Sequence, residues 1–126
     1  MRNTIEAIFV GICISLCQMA MGATWYVDGS APEFGDETSW DAPLETIQEG
    51  INAAADGHTV IVAEGTYYEN IHFDGKNIIL RSTDPLDPDT VANTIIDGSQ
   101  SGSVVTFSGT EDETCVLSGF TIRNGR

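Results

Sequence analysis

From Thr59 onward the chain breaks into extended runs of only a few residues each, and no other feature constrains its fold as strongly. β-Branched and apolar residues gather at 59–62, 70–73, 77–81, 94–97, 103–107 and 115–122, the last with a turn near Gly119. Glycine, Asn and Asp lie between them. Runs this short do not suit a meander of long hairpins, but they have the length of one face of a stacked β-solenoid. The spacing is irregular because 82–92 and 110–114 read as loops inserted at corners. Without them the repeat is about twenty-odd residues, within the range of solenoid repeats.

A single helical period precedes the runs. Leu44, Ile47, Ile51 and Ala54 fall at i, i+3, i+7 and i+10 on one helical face, with Asp41 placed to cap, Pro43 suited to the first turn, and Asp56-Gly57 closing the segment. Gly50 weakens such a helix by about 1 kcal/mol relative to Ala, which points to close packing against a neighbouring backbone. Ahead of the helix, residues 24–28 form a β-prone run, followed by a polar loop over 29–38 that contains Pro32 and Gly35.

The first residues read as an address. Arg2 precedes an apolar run over 7–16 broken only by Gly11 and Ser15, and Ala20 and Gly22 are small residues suited to a signal peptidase, placing cleavage after Gly22 with Ala23 as the near alternative. A membrane span needs about 20 predominantly apolar residues, and this run is shorter. Leu16 stands before Cys17 where a lipidation signal has a small residue. The sequence therefore divides into a signal peptide (1–22), an N-terminal strand, loop and capping helix (23–57), and the first coils of a β-structure (58–126). The expected location is secreted, extracellular or at the cell surface. Cys13 and Cys17 leave with the leader, so Cys115 is the only thiol in the mature chain and no internal disulfide forms there.

Five Lys and Arg stand against 19 Asp and Glu, a formal net charge of −14. Nucleic acid and anionic membranes are poor partners for such a surface, because both are bound through clustered basic side chains. The same field opposes polyanionic glycans unless a divalent cation bridges the two.

Residues 46–54 (Thr-Ile-Gln-Glu-Gly-Ile-Asn-Ala-Ala), Asp56-Gly57, Thr59-Val60-Ile61-Val62 and Gly65-Thr66-Tyr67-Tyr68-Glu69-Asn70-Ile71 together resemble the N-terminal cap and first coil of the pectin-lyase-like superfamily. Asn93-Thr94-Ile95-Ile96-Asp97-Gly98 and Leu117-Ser118-Gly119-Phe120-Thr121-Ile122-Arg123-Asn124-Gly125 resemble the coils that follow. The resemblance implies an all-β, right-handed parallel β-helix that opens with a capping α-helix and is truncated at its C-terminal end, as the N-terminal fragment of a longer protein. It implies a structural, glycan-facing module that meets extracellular polysaccharide or cell-surface components. The alternative it leaves open is the first part of a polysaccharide lyase, esterase or hydrolase. In the enzymes of that superfamily the catalytic groups sit on later coils, so no catalytic or binding residue is assigned here.

Chemistry within the chain is sparse. His58 and His72 read as solvent-facing, with no Ser or Cys nucleophile and orienting acid beside them. Glu64 and Glu69 flank Gly65-Thr66-Tyr67-Tyr68 and could be imagined as paired carboxylates for glycoside cleavage, but turn and edge roles suit them better. Asp84, Asp87 and Asp89 make an acid-rich loop, yet their spacing departs from the calcium-loop pattern, so the expectation is a solvated turn and no cofactor, calcium being the one candidate ion. Trp25, Trp40, Tyr67 and Tyr68 could stack on sugar rings or fill the seam of the cap. Cys115 opens an apolar run with no basic neighbour, as an inert buried thiol would.

Overall fold

The computed structural model describes residues 22–30, 39–40 and 42–126. The proposed leader, with Cys13 and Cys17, lies outside the described residues apart from Gly22. So does Asp41.

Nine short strands and two short helices make up these residues. They are β1 (Thr24–Val27), α1 (Ile47–Ala53), β2 (Thr59–Val62), β3 (Gly65–Tyr68), β4 (Ile71–His72), β5 (Ile79–Ser82), α2 (Pro88–Asn93), β6 (Thr94–Asp97), β7 (Val105–Thr106), β8 (Val116–Ser118) and β9 (Thr121–Arg123). Every pairing is parallel. Sheet A runs β1-β2-β5-β8, sheet B runs β3-β6-β9, and sheet C is β4-β7. After β2 the chain visits A, B and C in turn and repeats that circuit, so each strand pairs with the one laid down a circuit earlier.

Register follows from which side chains must be buried. Val60 aligns with Leu80 and Leu117, and Val27 with Val62, in sheet A; Tyr67 aligns with Ile96 and Ile122 in sheet B; Ile71 aligns with Val105 in sheet C. Alternation along each strand turns these residues inward. Val27, Val60, Val62, Ile71, Phe73, Ile78, Leu80 and Ile96 are fully buried in one cluster with Ile47 and Ile51 of α1. Burial of each such side chain contributes about 1.5–3 kcal/mol, which is how strands of two to four residues are held.

α1 begins three residues later than the apolar period suggests. Its N-cap is Thr46, whose hydroxyl accepts the Glu49 amide while the Glu49 carboxylate accepts the Thr46 amide, a reciprocal capping box. Leu44 instead bridges in parallel to Val27 on the free edge of β1. Its amide donates to the Tyr26 carbonyl, and its carbonyl accepts from the Asp28 amide, both at 2.8 Å. Gly50 is required by packing, although the neighbours are side chains and not backbone. A Cβ there would lie 2.8 Å from Val60 Cγ1 and 2.9 Å from Val27 Cγ2.

Two elements depart from the sequence reading. β3 covers Gly65–Tyr68, where Gly65 with Glu64 before it obscures the strand pattern. Residues 88–92, read as part of an inserted loop, form α2 together with Asn93; Asp87 caps it and Pro88 supplies a first-turn residue with no amide to satisfy.

Candidate functional site

Glu69 joins the end of β3 to the start of α1. Glu69 follows β3 and is tied to the next circuit by its amide, which donates to the Asp97 carbonyl at 3.0 Å. Its carboxylate reaches back to α1, where Oε2 accepts the Ile47 amide at 2.9 Å and Oε1 the Gln48 amide at 3.0 Å. These are amides that no turn of helix precedes, so a carboxylate there meets both the free donors and the positive end of the helix. Burial pushes the Glu69 carboxyl above its ordinary value, opposed by the two amide bonds and reinforced by nearby Glu49.

Glu64 has a different environment. It lines a shallow cleft of about 230 Å³ with Gly29, Ser30, Gly65, Thr66 and Tyr67. The Tyr67 hydroxyl donates to the Ala63 carbonyl at 2.9 Å and accepts from the Gly29 amide at 3.3 Å, so its polar atom is already satisfied. Burial raises the Tyr67 hydroxyl to about 12, more than the Gly29 amide lowers it. The two glutamates therefore serve different surfaces: one faces the cleft and the other is consumed as a helix cap.

His58 is half-buried, and its Nδ1 accepts both the Trp25 indole N–H at 3.1 Å and the Ala55 amide at 3.0 Å. It ties β1 to the end of α1 and is not the solvent-facing residue that its position suggests. His72 is exposed, as its alternation with Ile71 and Phe73 requires. What matters at His72 is its backbone. Its amide donates to Gln48 Oε1 at 2.8 Å, and its carbonyl accepts from Gln48 Nε2 at 3.1 Å. A primary amide carries one acceptor and donors in the spacing of a peptide group, so Gln48 stands where the next strand of sheet C would pair.

The four aromatic candidates disperse. Trp25 and Tyr67 are absorbed into the seam. Trp40 packs on Tyr26 of sheet A with ring centroids 4.7 Å apart, whereas Tyr68, 68% exposed, stands on sheet B. They do not share one platform. Asp87 caps α2 through the Asp89 amide and Thr90 hydroxyl, and Asp84 accepts the Leu86 amide. Among the described residues no group of three or more His, Cys, Asp or Glu converges as a set of metal ligands. Cys115 is half-buried, and burial raises its thiol above the ordinary value, opposed by a backbone hydrogen bond with Ile78 and reinforced by Glu111 and Asp112. That is the reverse of an activated nucleophile.

Three arrangements had no counterpart in the sequence reading. Lys76 Nζ donates to the carbonyls of Ile51, Asn52 and Ala54 at 2.8–3.0 Å. Asp97, almost fully buried, accepts the Ser99 amide on one oxygen and Arg123 Nε and Asn124 Nδ2 on the other; these bonds, Ser99 first, hold its carboxyl below the usual range. Glu111 gathers the amides of Ser108, Gly109 and Gly75, and its carboxyl falls to about 2. Of these, only the repeated Asp97-Gly98 and Asn124-Gly125 pairs left a trace in the sequence.

No protein-family model, curated protein or solved structure matches the chain. No helix among the described residues is long and apolar enough to cross a membrane.

Proposed function

We propose that this chain is the capped opening section of a secreted right-handed parallel β-helix, acting as a structural, glycan-facing module at the cell surface. The observation that carries the reading is the all-parallel register of three sheets visited in fixed order, with a helix lying against β1, β2 and β4 at one end. Parallel crossovers within one sheet are right-handed in nearly every known case, which supports the hand of the winding. A structural role is favoured because the Glu69 carboxylate and the His58 imidazole are engaged in capping and seam bonds. The net charge of −14 directs the glycan-facing surface toward neutral polysaccharide.

The test is binding of the secreted chain to immobilised neutral and anionic polysaccharides, with the N-terminus of the secreted product sequenced in the same preparation. Retention on a neutral glycan that Trp40→Ala or Tyr68→Ala weakens, with the chain starting at Ala23 or Thr24, supports the reading. Retention on neither class of glycan removes the glycan-facing role, and a product that keeps Met1 removes the leader.

A further inference from the structure

His58 joins three parts of the fold through one nitrogen. It stands immediately before β2, and its Nδ1 accepts the Trp25 indole N–H at 3.1 Å and the Ala55 amide at 3.0 Å. Trp25 belongs to β1 and Ala55 follows the end of α1, so the ring closes a corner between the first strand, the helix and the second strand. Two donors aimed at one lone pair fix the tautomer: the neutral ring carries its proton on Nε2. Gaining a second proton reverses the polarity of this corner, because an imidazolium has an N–H at both nitrogens and no acceptor. Nδ1–H then meets two N–H groups, and both bonds are lost. The rings are tilted by 32° with centroids 6.3 Å apart and meet through the indole N–H, so the new charge does not lie over the indole face, where a cation is attracted.

None of the charged groups on the surrounding elements bonds the imidazole. Asp56, in the same turn, accepts the Asn77 amide at 2.8 Å, and Lys76 donates to the carbonyls of Ile51, Asn52 and Ala54. Asp74, at the other end of the Lys76 turn, is exposed. Glu49 of α1 is held in the capping box, and Arg81 of β5 donates to the Ser82 and Thr83 carbonyls. On β1 the titratable group is Tyr26, which packs on Trp40. The backbone of the corner is secured without the ring, since the Gly57 amide donates to the Asn77 carbonyl and the His58 amide to the Ala55 carbonyl, both at 2.9 Å.

We propose that His58 is an acid-sensitive fastening between the first strand and the corner after α1, closed while the imidazole is neutral and open once it takes up a proton. An imidazole is the side chain that changes charge between about pH 5 and pH 8, so a mild change of pH acts on the fold at this corner. What opens is confined to the Trp25 indole and the Ala55 amide, because α1 keeps its clamps at Glu69 and Lys76 and its buried Ile47 and Ile51. The other imidazole, His72, is exposed and its ring accepts no such pair of donors.

The experiment is hydrogen exchange by nuclear magnetic resonance on the full chain, following the Trp25 indole N–H and the Ala55 amide at about pH 8 and about pH 5. After correction for the intrinsic pH dependence of exchange, both are expected to lose roughly tenfold in protection at the lower pH, the worth of one hydrogen bond each, while the β2 amides keep theirs. His58→Asn places a side-chain oxygen near the position of Nδ1 and takes up no proton there, so its protection is expected to be equal at the two pH values. His72→Gln is expected to retain the wild-type response. The nitrogen shifts of the His58 ring, read on wild type alone, are expected to show the Nε2–H tautomer at the higher pH. The proposal is overturned if the Trp25 and Ala55 groups stay equally protected in wild type, if His58→Asn responds as wild type does, if His72→Gln abolishes the response, or if the neutral ring carries its proton on Nδ1.

Discussion

Glu69 and Lys76, seven positions apart in the chain, hold opposite ends of the same helix. Glu69 accepts the first amides of α1, and Lys76 donates to its last carbonyls. Each charge has the sign that opposes the helix dipole at its own end. A seven-residue helix is too short to persist in water by propensity, so these two clamps, with the buried faces of Ile47 and Ile51, account for its presence.

Lys76→Met keeps the stem and removes the three donated bonds. Hydrogen bonds from a charged donor contribute about 1.5–3 kcal/mol, and the partly wet setting places the expected loss toward the lower figure. Urea denaturation followed by far-UV circular dichroism would show the midpoint falling at unchanged slope. An unchanged midpoint would mean that water serves those carbonyls equally well.

Glu69 predicts a pH dependence of opposite sense to that of most carboxylates. Because burial raises its folded value above 4.5, the native state retains a proton that the unfolded chain has lost. Its contribution therefore favours the fold at low pH and declines as pH rises through the folded value. Glu69→Gln cannot titrate, so subtracting its stability-against-pH curve from that of wild type should leave a component that falls with rising pH just above 4.5. A difference that rises across that window would show that the two amide bonds outweigh burial.

Much of the sheet architecture was legible because burial enforces a period of two on strands packed on one side, and runs such as Thr59–Val62 and Thr94–Asp97 keep their bounds. The start of α1 was not. Leu44 continues the helical period but is drawn onto the edge of β1, since an unpaired strand edge there would otherwise leave the Tyr26 carbonyl and Asp28 amide without partners. The site was hidden for a related reason. Gln48, Glu69 and Lys76 are ordinary surface residue types, and their roles come from pairings 21 to 25 positions away. No local pattern marks such pairs. Asp87-Pro88, by contrast, was a readable helix start, passed over because the helix it opens is only six residues long.

Gly119 sits where the backbone and the core both exclude a side chain. Its φ of +87° is strained for any L residue, and a Cβ would collide with Ser82 Oγ and lie 2.8 Å from Pro85 Cα. Ser82 Oγ is buried without a hydrogen-bond partner, so it has no alternative bond to reward a move. Gly119→Ala should cost about 1–3 kcal/mol from the backbone alone. Ser82→Ala alone should be near neutral or stabilising, because it removes an unsatisfied hydroxyl. In the double variant the loss should shrink if the hydroxyl contributes to the clash. Thermal melts of the three variants test this; a Gly119→Ala chain that melts with wild type would refute the crowding.

Glu111 titrates in the usual direction, and its case is the clearest. Backbone amides, Ser108 foremost, then its own and those of Gly109 and Gly75, hold its carboxyl at about 2 against the effect of burial, so the folded state favours the charged form. Its contribution is complete above the ordinary value of 4.5 and is lost as pH falls from there toward about 2. Those amides join the loop ahead of β8 to the Gly75 turn, so acid should free this loop first. Amide exchange at Gly75, Ser108 and Gly109 should accelerate relative to the core amides of β2 as pH is lowered through that interval, after correction for the intrinsic pH dependence of exchange. Glu111→Gln should exchange rapidly at every pH, and protection that survives acidification in wild type would show that the loop is held by something other than this carboxylate.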